Sequence, residues 1–224
     1  MSRMMIAIII VLVGAYQAQQ LRQERDGTVI ISQKAINNSP AAAALTQLEV
    51  KGRAAKTNYS RAQFSNSWGV VEDCDMRNYI LARDLIDITL VPNTCKVATG
   101  TLVDPYTAQK LLFVRGPETS DDIQIDHVVA LSDAWQKGAQ QLTQSDRYGF
   151  ANDPLNLLAV QGAANQAKSD GDAATWLPAN KKYRCAYIAR QIAVKIKYRL
   201  WVTAAEYMAM EKILRDCPDQ TLPS

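Results

Sequence analysis

The chain is organised around Ile123-Gln124-Ile125-Asp126-His127-Val128-Val129-Ala130-Leu131. This run is rich in β-branched residues, which predicts a strand. It contains His127, the only histidine in the chain, directly after Asp126. Because the ordinary pKa of imidazole lies near neutral pH, His127 is the obvious candidate for a general base in hydrolysis. The simpler interpretation is a histidine that only packs and hydrogen-bonds within a sheet.

Length and composition indicate one folded domain. The chain has 224 residues, of which 48% are hydrophobic and 21% are charged, which is ordinary for a globular protein. The net charge of +3 is too small to indicate a partner. The predicted helix 181–200, however, carries seven cations, and no Asp or Glu lies between Ala173 and Ala205. Such a helix is either a solvated face or a surface for a polyanion.

The N-terminus carries an apolar run from Met4 to Tyr16. It is shorter than the roughly 20 residues of a membrane span and is typical of the apolar part of a signal peptide. We therefore assign residues 1–16 to a signal peptide and the protein to the extracellular space. The alternative is a retained anchor on the outer face of the membrane. Residues 17–48 lack sustained periodicity and are predicted to be a linker, and residues 49–224 to be the folded domain.

The cysteine count agrees with export. Four cysteines are present, and no two of them form a Cys-x-x-Cys pair, which argues against a zinc site. An even number after a signal-like segment predicts two disulfides. Of the three possible connectivities we favour the one in which both bonds close local loops, Cys74–Cys95 and Cys185–Cys217. The alternative is four reduced, buried thiols in a cytosolic protein.

The pattern of helices and strands predicts an α+β fold. The helices expected from apolar spacing and caps are 75–85, 132–142, a helix starting at 163, 181–200 and a last one starting at Thr203, and the strands are 95–103, 111–114, 123–131 and 155–160.

Several polar residues that could take part in catalysis or metal binding lie on the predicted strands and helix after residue 122. Asp126 and His127 fall on one strand, Asn156 on the next, and Asn165 and Lys168 on the helix that follows. Two antiparallel strands and a helix can bring these residues into one site. Phosphodiester hydrolysis needs a base, a divalent cation and help for the developing negative charge. Oxygen ligands such as those of Asp126 and Asn165 suit Mg²⁺ or Mn²⁺.

These residues resemble the HNH, or ββα-metal, endonucleases, with asparagine at the position of the last histidine of that name. Residues 165–170 resemble the metal-binding helix of the HNH domain in CRISPR effector nucleases. The chain also resembles a narrower group, the secreted bacterial HNH proteins that are similar to the C-terminal nuclease domain of the GmrSD restriction system. This resemblance rests on residues 104–107, 125–131, 134–135, 150–160, 165–170 and 176–178. It spans about 59–217, nearly the whole predicted domain.

The resemblance implies roles for individual residues. His127 would deprotonate water, and Asp126 and Asn165 would hold one Mg²⁺ or Mn²⁺ ion. Asn156 would complete the catalytic motif by tying the hairpin together. The fold would be a ββα-metal core embedded in additional helices and a short N-terminal β element. More modest roles stay open: Asp126 as a partner that orients the imidazole, and Asn165 as a helix cap.

Four cations are candidates for nucleic-acid contacts: Lys168, Arg147, Lys181 and Lys182. Lys168 lies three residues after Asn165 on the same helical face and could reach a phosphate. For Arg147, the simpler interpretation is a salt bridge at the surface.

The sequence thus predicts a secreted, metal-dependent endonuclease acting on DNA, with RNA as a further candidate. No small-molecule cofactor is expected, and nothing in the sequence indicates an inhibitor protein. The competing functions are a non-catalytic nucleic-acid-binding protein on the same scaffold and an exported hydrolase such as a glycosidase, which needs two spaced carboxylates. With an ordinary pKa of about 6.5 for His127, the rate would fall as pH drops through that value.

Overall fold

The computed structural model describes residues 39–223. The predicted signal peptide or anchor at 1–16 and residues 17–38 of the predicted linker lie outside the described residues. Within the described range, none of the helices has the length and apolar character needed to cross a membrane. This part of the chain mixes helices with small antiparallel sheets, in agreement with the predicted α+β class.

The helices and strands follow one another irregularly along the chain. In order they are α1 (Pro40–Leu45), β1 (Val70–Val71), β2 (Cys74–Asp75), α2 (Met76–Asp84), β3 (Ile86–Leu90), β4 (Val97–Val103), β5 (Lys110–Val114), β6 (Ile123–His127), α3 (Leu131–Gln136), α4 (Gln144–Ala151), β7 (Leu157–Gln161), α5 (Gly162–Lys168), α6 (Arg184–Lys197) and α7 (Ala204–Leu214). Short 3₁₀ turns lie at Arg61–Gln63, Ala139–Gln141 and Lys181–Tyr183.

The strands pair in antiparallel fashion as β1–β2, β3–β4–β5 and β6–β7. In the β6–β7 pair, Asp126 lies opposite Leu158 and His127 opposite Leu157. Helix α5 begins directly after β7, whereas residues 128–156, with α3 and α4, separate β6 from β7 along the chain. The junction requires glycine, because a Cβ atom on Gly162 would lie 2.2 Å from the carbonyl oxygen of Asp121.

The stretch 123–131 crosses between two hydrophobic clusters. Ile123 and Ile125 belong to the first, together with buried residues of α2, β4, β5 and β7. Val129 and Leu131 belong to the second, which includes Trp135 and residues of α4 and α6. The apolar residues on either side thus anchor the stretch twice, and Asp126 and His127 lie where it passes from one cluster to the other.

A buried network of ion pairs joins the second half of the chain. The ammonium of Lys137 contacts three carboxylates at 2.7, 2.7 and 2.6 Å, and both Lys195 and Arg53 contact two members of the same set. The network comprises Arg53, Lys137, Lys195, Asp133, Asp172 and Glu206. Three positive and three negative charges therefore balance; five of the six side chains are buried, and Arg53 is partly exposed at the edge of the network.

Both predicted disulfides are present. Cys74 is bonded to Cys95 and Cys185 to Cys217, with Cα–Cα distances of 5.8 and 5.9 Å. The first bond connects β2 to the residues before β4, and the second connects the start of α6 to the residues after α7. The prediction that each bridge closes a local loop is confirmed.

Residues 39–48 are part of the fold, although the sequence suggested a linker there. Ser39 caps α1 by accepting a hydrogen bond from the Ala42 N–H, and Ala41, Ala42 and Leu45 are fully buried. The helix packs against α6 and α7. Its apolar face is mostly alanine, which gives a weak periodic signal, so the folded part begins at least ten residues before position 49.

Strand β3 and helix α4 are among the elements that the sequence did not predict, and α3 differs from its prediction. All five side chains of β3 are exposed, so no alternation of burial marks it as a strand. Helix α4 contains Gly149 and few apolar residues, although Thr143 caps it by accepting from the Asp146 N–H. The predicted helix 132–142 ends as an α-helix at Gln136, and neither Ser132 nor Asp133 caps it, because α3 begins at Leu131.

We expect the buried ion network to make the fold sensitive to acid. Burial alone would raise the pKa of Asp172, but Lys137 and Arg53 lower the pKa below its ordinary value. A carboxyl group of this kind stabilises the fold above its unfolded pKa of about 3.9, and this contribution is lost as pH falls through that range. Urea unfolding should show the free energy of unfolding declining as pH falls from about pH 5 to pH 3.

The variant Asp172→Asn should lose about 3 kcal/mol or more near neutral pH, because Lys137 stays buried with one negative partner fewer. Its free energy of unfolding should also depend less on pH than that of the wild type. Asp219→Asn, at an exposed position, is the matched control. Equal pH dependence in Asp172→Asn and the wild type would contradict this account.

Candidate functional site

A cleft of about 510 Å³ opens beside β6 and α5. Its lining includes Asp126 and His127 from β6, Asn165 from α5 and Arg61 from the 3₁₀ turn. A smaller cavity of about 200 Å³ adjoins it and is lined by Trp68 and polar side chains of the neighbouring loop. Arg61, His127 and Leu131 line both spaces, so the two meet at the imidazole.

One hydrogen bond selects the tautomer of the neutral His127 ring. Its Nε2 atom lies 2.9 Å from the carbonyl oxygen of Ala151. A carbonyl can only accept, so Nε2 carries the proton and Nδ1 keeps its lone pair. Nδ1 has no hydrogen-bond partner within residues 39–223. The ring of Trp68 lies parallel to the imidazole, with centroids 6.0 Å apart. The arrangement presents an unprotonated nitrogen that can accept a proton from water.

The pKa of His127 is lowered to about 3. Burial is the main cause, and the positive charges of Arg61 and Lys168 lower the pKa further, against the hydrogen bond to Ala151, which raises it. In the free protein the imidazole is therefore neutral throughout the physiological range. The expectation of a pKa near 6.5 assumed a solvated ring and does not hold for this buried one.

Asp126 is held on both of its oxygen atoms. Oδ1 accepts a hydrogen bond from Lys168 Nζ at 2.9 Å, and Oδ2 accepts one from the hydroxyl of Tyr106 at 2.5 Å. Burial raises the pKa of Asp126, although Lys168 and Tyr106 oppose that rise. Asp104 in turn fastens the loop that carries Tyr106, by accepting from the Thr107 and Gln161 backbone N–H groups.

Asn156 holds the hairpin and does not line the cleft. Its side-chain oxygen accepts from the Val129 N–H at 2.8 Å, and its amide donates to the carbonyls of Val129 and Phe150. Its own backbone carbonyl accepts from Val128. The residue is fully buried. It thus fixes the chain just after His127, which is the tying role that the resemblance implied.

The cleft contains oxygen atoms that could serve as ligands for a divalent ion. The Asn165 amide donates to Gln124 Oε1 at 2.9 Å, and its own side-chain oxygen has no partner within the described chain. Each oxygen of Asp126 can accept more than the one bond it has. Asp126 and Asn165 therefore fit an ion that prefers oxygen, such as Mg²⁺ or Mn²⁺. Within residues 39–223 there is no group of three or more His, Cys, Asp or Glu placed to hold a metal, so these donors form a partial set.

The structure places two predicted nucleic-acid contacts elsewhere. Lys168 is 2% exposed and points its ammonium at Asp126, so it is not a surface contact for phosphate. Arg147 donates to the carbonyls of Gln63 and Leu142 and lies over the ring of Trp135. Its guanidinium therefore serves to fasten loops. These two corrections have one reason: side chains that looked solvated meet acceptors from distant parts of the chain.

The basic segment 181–199 divides between buried and exposed cations. Lys195 is fully buried in the ion network, and Lys197 contacts Asp153 at 2.7 Å. Lys181 and Lys182 are exposed at the 3₁₀ turn and line neither cavity. The helix is therefore not one continuous surface for a polyanion.

Three residues at the site were not predicted as functional. Arg61 is exposed at the junction of the two spaces, and its guanidinium has no hydrogen bond or ion pair in the described chain. Tyr106 contacts Asp126, and Trp68 lies beside His127. Tyr106 belongs to motif 104–107, but nothing local in that motif or in the sequence around Trp68 indicates a contact with β6.

Two comparisons with known proteins bear on this site. A family model described as the C-terminal domain of GmrSD restriction endonucleases matches residues 75–213. A relative from Arthroderma benhamiae, described as an uncharacterized secreted protein, is 35% identical over 181 residues, which cover 80% of this chain and 85% of the relative. No solved structure matches the chain. The region matched by the family model, residues 75–213, includes β6, β7 and α5 and leaves out Arg61 and Trp68.

The single histidine makes the lowered pKa directly measurable. We expect the ring proton resonances of His127 in the metal-free protein to show no titration between about pH 7.5 and pH 5, because burial disfavours the imidazolium. The measurement is a proton NMR titration, in which no other histidine interferes. The urea-unfolded chain is the control and should titrate near the ordinary pKa of about 6.5. A midpoint above pH 6 in the folded protein would contradict the geometry.

Proposed function

Because the chain belongs to the family of GmrSD restriction endonuclease C-terminal domains, we propose that it is a secreted, metal-dependent HNH endonuclease. It hydrolyses phosphodiester bonds in DNA, with RNA as a further substrate class. The observation that carries this proposal is His127, which lines both cavities and whose Nε2 is bound to the Ala151 carbonyl, while its Nδ1 has no hydrogen-bond partner within residues 39–223.

The unit β6–β7–α5 serves as the ββα-metal core. Nδ1 of His127 accepts a proton from the water that attacks phosphorus. Asp126 and Asn165 are the residues that would hold Mg²⁺ or Mn²⁺. The ion, when bound, stabilises the charge that develops on the phosphate and on the leaving 3′ oxygen. Asn156 keeps the hairpin and the segment after His127 in register.

Substrate binding adjusts the base. A pKa of about 3 keeps His127 unprotonated, but a strong base needs a pKa closer to the working pH. The negative charge of a bound phosphodiester favours the imidazolium. Nucleic acid in the cleft therefore raises the pKa of His127 at the moment when the base is needed.

Arg61 takes the phosphate-binding role first assigned to Lys168 and Arg147. It is exposed, lacks a protein partner in the described chain and lies beside both cavities. Lys181 and Lys182 add exposed positive charge outside the cleft. Contacts of this kind bind the backbone and do not distinguish bases. Since the sequence also lacks a base-reading motif, the sequence specificity is low.

The protein acts outside the cell that makes it. Two disulfides support this proposal, because they persist in oxidising compartments. The relative from Arthroderma benhamiae, which is described as secreted, supports it as well.

Plasmid cleavage tests the proposed reaction. We expect the purified protein to nick supercoiled plasmid with Mg²⁺ or Mn²⁺ and to lose this activity in EDTA. His127→Ala should reduce the rate by about 10²- to 10⁴-fold, the usual contribution of a general base. Tyr198→Phe, which removes a hydrogen bond to Asp153 away from the cleft, is the matched control and should cleave normally.

Binding to plasmid without nicking would favour a non-catalytic nucleic-acid-binding protein. Activity that survives EDTA, or a fully active His127→Ala variant with native circular dichroism, would refute the metal-dependent mechanism with His127 as base.

A pair of arginine variants tests where nucleic acid binds. Arg61→Ala should weaken binding of a DNA duplex and reduce the slope of log affinity against log salt concentration by about one, as expected for one lost phosphate contact. Arg147→Ala removes the same charge from a guanidinium that bonds backbone carbonyls, so it should leave the salt slope unchanged. The measurement is fluorescence anisotropy of a labelled duplex. A reduced salt slope for Arg147→Ala with an unchanged slope for Arg61→Ala would show that Arg147, and not Arg61, contacts the phosphate.

A further inference from the structure

Lys168 is a fully buried cation that the reaction described above does not use. It is the last residue of α5, and its side chain has no exposure to solvent. Its Nζ atom lies 2.9 Å from Asp126 Oδ1 and 2.9 Å from the backbone carbonyl oxygen of His127. The ammonium therefore joins both members of the Asp126-His127 pair and neutralises the carboxylate in the free protein.

The cleft offers little negative charge apart from Asp126. Gln124 and Asn165 contribute neutral amides. Asp170 at the rim contacts Lys56 at 3.3 Å and accepts a hydrogen bond from Ser132, and Arg61 adds a positive charge. A divalent cation entering this cleft alone would meet two carboxylates, Asp126 and Asp170, and each already has a cationic partner. Its attraction to the free protein is weak for that reason.

A phosphodiester supplies the missing charge. Mg²⁺ is commonly held by one or two carboxylates together with substrate phosphates and not by a complete set of protein ligands. Resting on the function proposed above, we infer that Lys168 makes metal binding conditional on nucleic acid. With Lys168 in place, Asp126 binds a divalent ion tightly only when a phosphodiester occupies the cleft and contributes its negative charge and oxygen atoms.

This coupling is reciprocal. If nucleic acid raises the affinity for the ion, the ion raises the affinity for nucleic acid by the same factor. Lys168 thereby prevents the free protein from holding an ion at an empty cleft. Removal of the ammonium should uncouple the two events, because Asp126 then presents an uncompensated charge to the ion.

The test is a titration with Mn²⁺, followed by the electron paramagnetic resonance of the free ion, so that no cleavage is needed. A short phosphorothioate DNA duplex serves as a substrate that resists hydrolysis. For the wild type we expect weak Mn²⁺ binding alone and binding about tenfold tighter, or more, with the duplex, which is within the usual range of coupling between two ligands. Lys168→Met should bind Mn²⁺ alone about tenfold more tightly than the wild type does, and the duplex should add little.

Two further variants separate local from general effects. Lys56→Met removes a positive charge at the rim, next to Asp170, and should leave Mn²⁺ binding close to that of the wild type. Lys168→Gln keeps a polar group beside Asp126 and should behave like Lys168→Met, which covers the case in which methionine impairs folding. Circular dichroism and thermal melting establish that each variant is folded.

The proposal is overturned if the wild type binds Mn²⁺ equally well with and without the duplex, or if folded Lys168 variants bind it no more tightly. Its failure is distinct from failure of the proposed function. A protein that nicks plasmid but shows no effect of Lys168 on Mn²⁺ affinity remains a nuclease without this coupling. Tighter Mn²⁺ binding by the variants supports the role of Lys168 even where no nicking is seen.

Discussion

Lys137 meets carboxylates from three separate segments: α3 itself, the turn after α5, and α7. Arg53 and Lys195 complete the charge balance from two more segments. A buried ion pair that loses one partner is strongly destabilised, so these segments reach their lowest free energy only when all of them are in place. Helix α3 begins at Leu131, which lines both cavities. The charge balance therefore also sets one wall of the site.

The sequence could predict the parts of the fold that depend on residues close together in the chain. The Asp126-His127 pair, the hairpin and α5 were recognisable because their residues lie within short motifs. The partners of Asp126 were not, because Lys168 lies 42 positions away and only the folded chain shows that its ammonium turns inward. Arg61 belongs to no motif. Strand β3 could not be predicted because none of its side chains is buried, so no apolar residues alternate along it. The mostly alanine face of α1 gives a weak apolar pattern, and its burial is evident only from its packing against α6 and α7.

Around Asp126 and His127, most polar side chains are held in place by contacts within the protein. Lys168 bonds the side chain of one residue and the backbone of the next, while Tyr106 holds the other carboxylate oxygen and Ala151 holds the imidazole. The base and the carboxylate are thus oriented independently of any bound ligand. Such preorganisation lowers the cost of assembling reactants. Arg61, in contrast, is exposed and has no hydrogen bond or ion pair from its guanidinium within residues 39–223.

The disulfides have a consequence for the cell that synthesises the protein. Cys74–Cys95 and Cys185–Cys217 join residues 21 and 32 positions apart, and each bridge of this size is worth about 3 kcal/mol through its constraint on the unfolded chain. Cytosolic thiols are kept reduced. A newly made chain is therefore less stable before export than after oxidation. If the protein is the nuclease proposed above, it would reach its full stability only outside the cell that makes it, away from that cell's own nucleic acid.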